Sequence, residues 1–223
     1  MIPLYDTLHS RRFPIVNWLL IALNFVVFLY EISLSSSALN RLIFDWGLIP
    51  RQLMVHPQVA WVTIFTAMFL HGGWLHIIGN MWVLFIFGDN IEDRLGHPRY
   101  LIFYLLSGVA AGLLESYVLP TSKVPMIGAS GAIAGVLGAY LILYPQARIA
   151  SIVPIFFIFT IIEIPAVLFL LFWFVLQLFS GWTALEGAAA SSGVAWWAHV
   201  GGFIFGALAV KLFAQRHTLY YQQ

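Results

Sequence analysis

The chain has 223 residues, 61% of them hydrophobic and only 9% charged, with a mean hydropathy of +0.92; soluble domains carry roughly a quarter charged residues. This composition excludes a water-soluble globular domain and calls for a membrane protein, while a formal net charge of +1 provides no global field to draw nucleic acid. The absence of cysteine excludes disulfides, thiolate metal sites and a cysteine nucleophile.

The first apolar stretch follows Arg11 and Arg12 and runs over 14–34. It is too long for a secretory signal peptide and lacks a small-residue cleavage site, so a retained span is expected. The region 40–73 mixes Trp46, Pro50, Arg51, His56, Pro57 and Trp61. It reads as a long interfacial loop with short amphipathic pieces, its tryptophans marking the headgroup level. Further spans are expected over 74–91, 100–119, 126–144, 155–179 and 194–213, separated by charged, proline-containing or small-residue connectors at 89–99, 119–123, 144–148 and 186–193. The expected fold is therefore an all-α membrane protein, one domain over 1–223 built as a compact bundle of six transmembrane helices. Glu163 is the carboxylate set well inside an apolar stretch; with Pro165 close behind it, a structural role near the membrane interface is expected. No fixed-period repeat is visible, which gives a repeat-built transporter no support.

Six spans put both termini on one side, with Arg11, Arg12, Arg94, Arg99, Arg148, Lys211 and Arg216; the other side has Arg41, Arg51 and Lys123. This imbalance predicts cytoplasmic termini. Spans two, four and six then all begin outside, and His76 and Asn80, Ser130, and His199 fall in their respective first turns. At 1.5 Å per residue these polar groups share a depth roughly 5 to 10 Å below the outer boundary.

A serine hydroxyl becomes a useful nucleophile when a histidine can take its proton. Ser130 and His199 could supply that pair. Taken singly, each is as well read as an interhelical hydrogen bond. Ser130 stands in Gly128-Ala129-Ser130-Gly131-Ala132, with Ala134, Gly135 and Gly138 after it, and span six answers with Ala195, Ala198, Gly202 and Gly206. Such small-residue faces let two backbones approach closely, as a short Ser–His hydrogen bond requires. Ordinary tight packing explains the glycines equally well, but not a nucleophile and a base at matched depth. His76 and Asn80, one turn apart on one helix face, can both donate hydrogen bonds to an oxyanion; they could instead tie span two to a neighbour. His71 and His76 lack a His-Glu-x-x-His sequence or a nearby carboxylate, so a metal site is not expected. No carboxylate accompanies His199 at its depth, which favours a dyad over a triad.

Gly128-Ala129-Ser130-Gly131-Ala132, His76-Ile77-Ile78-Gly79-Asn80 and Ala198-His199-Val200-Gly201-Gly202 resemble, in order, the signatures of rhomboid intramembrane serine proteases. His71 and the run from Phe87 to Gly96 add to the likeness, which extends from span one to span six. The resemblance implies Ser130 as nucleophile and His199 as general base, with His76, Asn80 and the Ser130 amide forming the oxyanion site. Gly128 would allow close approach of substrate. It further implies transmembrane protein substrates within a lipid bilayer, with no cofactor, metal or nucleic acid. Two departures stand out: Trp61 is followed by Val62 rather than an arginine, and Ala134 replaces a tyrosine that lies beneath the histidine ring in some members, so His199 must be oriented by other packing. A non-proteolytic client-binding relative is the alternative, disfavoured because Ser130 and His199 are both present. A transporter would need polar groups through both leaflets, whereas these cluster toward one. The absence of a long organellar presequence points to a bacterial plasma membrane.

Overall fold

A computed structural model describes residues 1–155, 158–185 and 193–215. The connector expected at 186–193 lies, apart from Gly193, outside the described residues, as does Arg216. Strand β1 (Ile2–Asp6) precedes helix α1 (Ile15–Ser33), and α2 (Ser36–Trp46) and α3 (Pro50–Val55) follow. Two single turns, α4 (Pro57–Ala60) and α5 (Thr63–Thr66), lead through a 3₁₀ turn to α6 (Trp74–Leu95). Then come α7 (His97–Val118), α8 (Ser130–Leu143), strands β2 (Arg148–Ile155) and β3 (Ile158–Pro165), α9 (Ala166–Leu185) and α10 (Trp196–Phe213).

The protein is a mostly helical, multi-pass membrane protein. Among the described residues α1, α7, α9 and α10 are each long and apolar enough to cross a bilayer. A fifth span is obtained if residues 63–69 and α6, which meet at 96°, are taken together. Four or five of the six expected spans are thus long and apolar enough by length and composition; the remaining one, 126–144, is represented by a shorter apolar helix of 14 residues that starts at Ser130. Residues before Ser130 cannot join it. Pro125 lacks an amide hydrogen, Gly128 has φ +124, and Met126 exchanges backbone hydrogen bonds with Leu48 instead.

Residues 155–165, expected in the fifth helix, are a second correction. β2 and β3 form an antiparallel hairpin in register Arg148↔Pro165 through Ile155↔Ile158, and β1 adds to β2, giving a sheet in the order β1-β2-β3. The fold is therefore not all helix. Hydropathy does not distinguish the two states here. What does is the density of β-branched and aromatic residues from Ile149 to Ile164, with Pro165 ending the strand and opening α9. Glu163 lies exposed on β3 opposite Ala150, not inside a helix. The sheet is moored to the bundle through β1. The Trp82 indole donates to the Pro3 carbonyl at 2.7 Å, and the Asp6 carboxylate accepts from Asn90 Nδ2 at 3.0 Å and from the Tyr140 hydroxyl.

Helix α8 is the axis of the bundle, buried on every face from Gly131 to Tyr140. It packs most closely on α10, and also against α7 and α6. A β-carbon added at Gly202 would collide with the Gly131 carbonyl, and one at Gly206 with the Gly135 backbone. The glycines are therefore what permits this approach, which in a membrane must rest on van der Waals packing rather than on exclusion of water. Helix α1 is pinned at its start by Glu92 of α6, whose carboxylate accepts from the Val16 and Asn17 amides at 2.9 and 2.7 Å, satisfying donors that a helix N-terminus leaves open. Here the Phe87 to Gly96 run earns its distinctive sequence. Arg94 and Arg99 donate to the Gln215 and Phe213 carbonyls, so these cations and the end of α10 share one end of the molecule.

Candidate active site

Because α8 starts at Ser130, the serine stands at the mouth of the helix, partly exposed, rather than within a turn of it. The close approach of α10 brings His199 opposite. His199 Nε2 lies 2.8 Å from Ser130 Oγ, a full-strength hydrogen-bond distance, and His199 is itself buried. Glu115 of α7 holds the start of α10, its Oε2 accepting from the Ala198 amide at 2.8 Å. The residue immediately before the histidine is thus fixed by a buried carboxylate.

The imidazole is oriented by α9. Gln177 Oε1 lies 2.8 Å from His199 Nδ1, and the rings of Trp173 and Trp196 flank His199 at centroid distances of 5.9 and 6.1 Å. These groups occupy the role that the Ala134 departure left open.

The His76 and Asn80 donors can be assigned from their partners. The Gly72 amide donates to His76 Nδ1 at 3.3 Å, so the proton of the neutral ring is on Nε2. His71 Nδ1 faces the Phe69 carbonyl at 3.3 Å, which can only accept, leaving His71 Nε2 to accept from Asn80 Nδ2 at 3.0 Å. This contact uses one of the two amide hydrogens of Asn80. The His71 backbone is anchored in turn by the buried Glu31 carboxylate, at 3.1 and 3.2 Å from the His71 amide. A β-carbon at Gly128 would stand 2.7 Å from His76 Nε2 and 3.6 Å from Asn80 Nδ2. Both donors therefore border the glycine two residues before Ser130. Ser130, His199, His76, Asn80 and Gly128 all line one cleft of about 720 Å³.

This arrangement sits in a chain that matches the rhomboid domain family over residues 58–216. The chain belongs to the rhomboid family. It is 36% identical to the rhomboid protease GluP of Bacillus subtilis (strain 168) over 129 residues, 57% of this chain and 24% of that protein. To the putative rhomboid protease YdcA of the same organism it is 37% identical over 81 residues, 36% of this chain and 40% of that one. To the mitochondrial RHOMBOID-like protein 6 of Arabidopsis thaliana it is 38% identical over 108 residues, 48% of this chain and 33% of that one. The matches thus span less than half the length of these relatives.

Sequence reasoning brought forward Ser130, His199, His76, Asn80 and Gly128, and the fold gathers all five. It passed over Gln177, Glu31 and Glu115; Glu163, read as structural, lies exposed on β3. A usable signal existed: Glu31, Glu115 and Gln177 stand in predominantly apolar helices, with Glu31 and Glu115 the only carboxylates of theirs, and a buried polar group must have a partner.

Proposed function

We propose that the chain is an intramembrane serine endopeptidase that hydrolyses peptide bonds in or next to transmembrane segments of other membrane proteins, with Ser130 as nucleophile and His199 as general base. The observation that carries this reading is the 2.8 Å Ser130–His199 contact in a cleft bordered by the N–H donors of His76 and Asn80. A substrate carbonyl beside Gly128 is attacked by Ser130 Oγ while the hydroxyl proton passes to His199 Nε2. The oxyanion is met by His76 Nε2–H, the second hydrogen of Asn80 Nδ2 and the Ser130 amide, which as the first of α8 has no acceptor within its helix. Breakdown of the adduct gives the His199 proton to the leaving amine. Water, deprotonated by His199, then releases the acyl group. A substrate helix must unwind locally first, since its carbonyls are already hydrogen-bonded and shielded. Small or helix-breaking residues near the cleaved bond are the expected preference.

A fluorophosphonate tests the reading directly. It should label Ser130 in the purified protein and fail to label Ser130→Ala; a folded wild-type protein inert to the reagent would count against an activated serine.

The oxyanion assignment has its own test. Asn80→Ala should lower turnover roughly 10²-fold, as for loss of one oxyanion donor, with KM little changed. Were Asn80 only an interhelical tie, its loss would cost about 1 kcal/mol of stability and leave the rate per folded molecule intact. Unchanged turnover in both His76→Ala and Asn80→Ala would remove the assignment while leaving the dyad standing.

The proposal extends to a single domain in a bacterial plasma membrane with both termini cytoplasmic, supported by the gathering of Arg94, Arg99 and the end of α10 at one end of the bundle. Tags at both termini should be shielded from impermeant reagents, and a cysteine placed at Lys123 should react from outside.

A further inference from the structure

We propose that Gln177 is the positioning residue of the site: it fixes the His199 tautomer whose Nε2 can accept the Ser130 proton, an inference that rests on Ser130 and His199 acting as the dyad.

Gln177 is 6% exposed and is the one polar member of the buried face of α9, alongside Ala166, Phe169, Leu170 and Gly181. A buried primary amide is tolerated where its polar atoms find partners, and both ends of this one do. Gln177 Nε2 lies 3.2 Å from the Trp173 carbonyl, one turn back on the same helix. A carbonyl only accepts, so the nitrogen of the amide must face Trp173 and the oxygen must face the other way. The oxygen then stands 2.8 Å from His199 Nδ1.

The consequence runs through the ring. An amide oxygen only accepts, so Nδ1 must carry a hydrogen, and in the neutral imidazole Nε2 is left as a lone pair. That lone pair is the atom 2.8 Å from Ser130 Oγ. Polarity is thereby set along the whole chain of contacts: Ser130 O–H donates to His199, His199 N–H to Gln177, and Gln177 N–H to the Trp173 carbonyl. Without the Gln177 oxygen the other tautomer becomes available, with its hydrogen on Nε2 pointing at Ser130, and that form cannot take the serine proton. Gln177 also continues to accept from Nδ1–H while the ring is imidazolium, and takes up no proton at any step.

Trp173 belongs to the same device. It supplies the carbonyl that orients the amide and the ring that flanks the imidazole, so two residues one turn apart on α9 define both the plane and the tautomer of His199. Among the described residues no carboxylate contacts His199, and the neutral amide stands where a serine protease triad places its third member.

Gln177→Leu removes the acceptor while keeping the size and apolar packing of the position, and Gln177→Glu keeps an acceptor at the same place. A protonated glutamate can still offer its carbonyl oxygen to Nδ1 and its hydroxyl to Trp173, and an ionised one accepts as well. The expected result is that Gln177→Leu lowers kcat and the rate of fluorophosphonate labelling at Ser130 roughly 10- to 100-fold, with KM and thermal unfolding close to wild type. Gln177→Glu should recover most of that loss. Wild-type labelling and turnover in Gln177→Leu would overturn the proposal, as would a folded Gln177→Glu no better than the leucine variant. A defect of Gln177→Leu confined to KM or to unfolding temperature would likewise overturn it, since an interhelical tie predicts that pattern. Ser130→Ala measured in parallel separates the two levels. If it cleaves substrate the protease reading itself falls; if it is inert while Gln177→Leu is unimpaired, only the role of Gln177 falls.

Discussion

Ser130→Ala and His199→Ala should each lower cleavage of a membrane-protein substrate by at least about 10⁴-fold, and the double variant should be no worse than either single one. The reason for the non-additivity is mechanical. Without the imidazole the hydroxyl keeps its proton, and without the hydroxyl the imidazole has nothing to activate, so either loss removes the same step. Residual hydrolysis would come from the oxyanion donors acting on water. The fold should survive both changes, because Ser130 lies partly exposed at the start of α8 and His199→Ala truncates a ring that faces the cleft. Turnover per folded molecule is the quantity to measure, alongside thermal unfolding on the same preparation. Robust cleavage by a verified Ser130→Ala protein would end the serine-protease reading, and additive defects would show that the two residues do not act as one unit.

The second large effect is expected from a residue that touches no substrate. Gly202 lies one turn after His199, and a β-carbon there would collide with the Gly131 carbonyl, immediately after Ser130. Backbone cannot rotate aside as a side chain can, so Gly202→Ala must push α10 away from α8. The expected cost is about 1 to 3 kcal/mol of stability, the range for overpacking a tight interior. Activity should fall further than stability. A separation of about 1 Å across the Ser130–His199 contact is enough to remove catalytic geometry, so the surviving folded molecules should label slowly with a fluorophosphonate. Gly79→Ala is the matching control for stability. No neighbouring atom lies within 4 Å of a β-carbon at that site, and alanine is the better helix former. Equal unfolding temperatures for the two variants would show that the α8–α10 approach does not depend on glycine.

The two corrections to the expected fold share one cause. Over 126–129 and 155–165 the sequence is apolar enough to read as helix, but a hydropathy average is blind to where the backbone amides find partners. Met126 bonds Leu48, 78 positions earlier in the chain, and β2 gains β1 from the start of the chain. Strand or helix is decided there by a partner that no local window contains. Glu163, expected to have a structural role near the membrane interface, lies exposed on β3 rather than in a helix.

What the sequence determined by itself was whatever depends on composition and local order. The membrane class follows from the scarcity of charge, the positions of four of the long helices from apolar length, and membership of the rhomboid family from motifs contained within a few residues of Ser130, His76 and His199. The pairing of two small-residue faces was legible too, because the absence of side chains at Gly131, Gly135, Gly202 and Gly206 is written in the chain. Only the tertiary structure decided which nitrogen of His199 faces Ser130, that Gln177 and Trp173 stand behind it, and that Glu31 and Glu115 fasten the two ends of the site. Those facts are hydrogen bonds between helices, Gln177 to His199 across 22 positions and Glu115 to Ala198 across 83. A hydrogen bond is made or lost over a few tenths of an ångström, a tolerance set by how the helices pack together and not by any stretch of sequence alone.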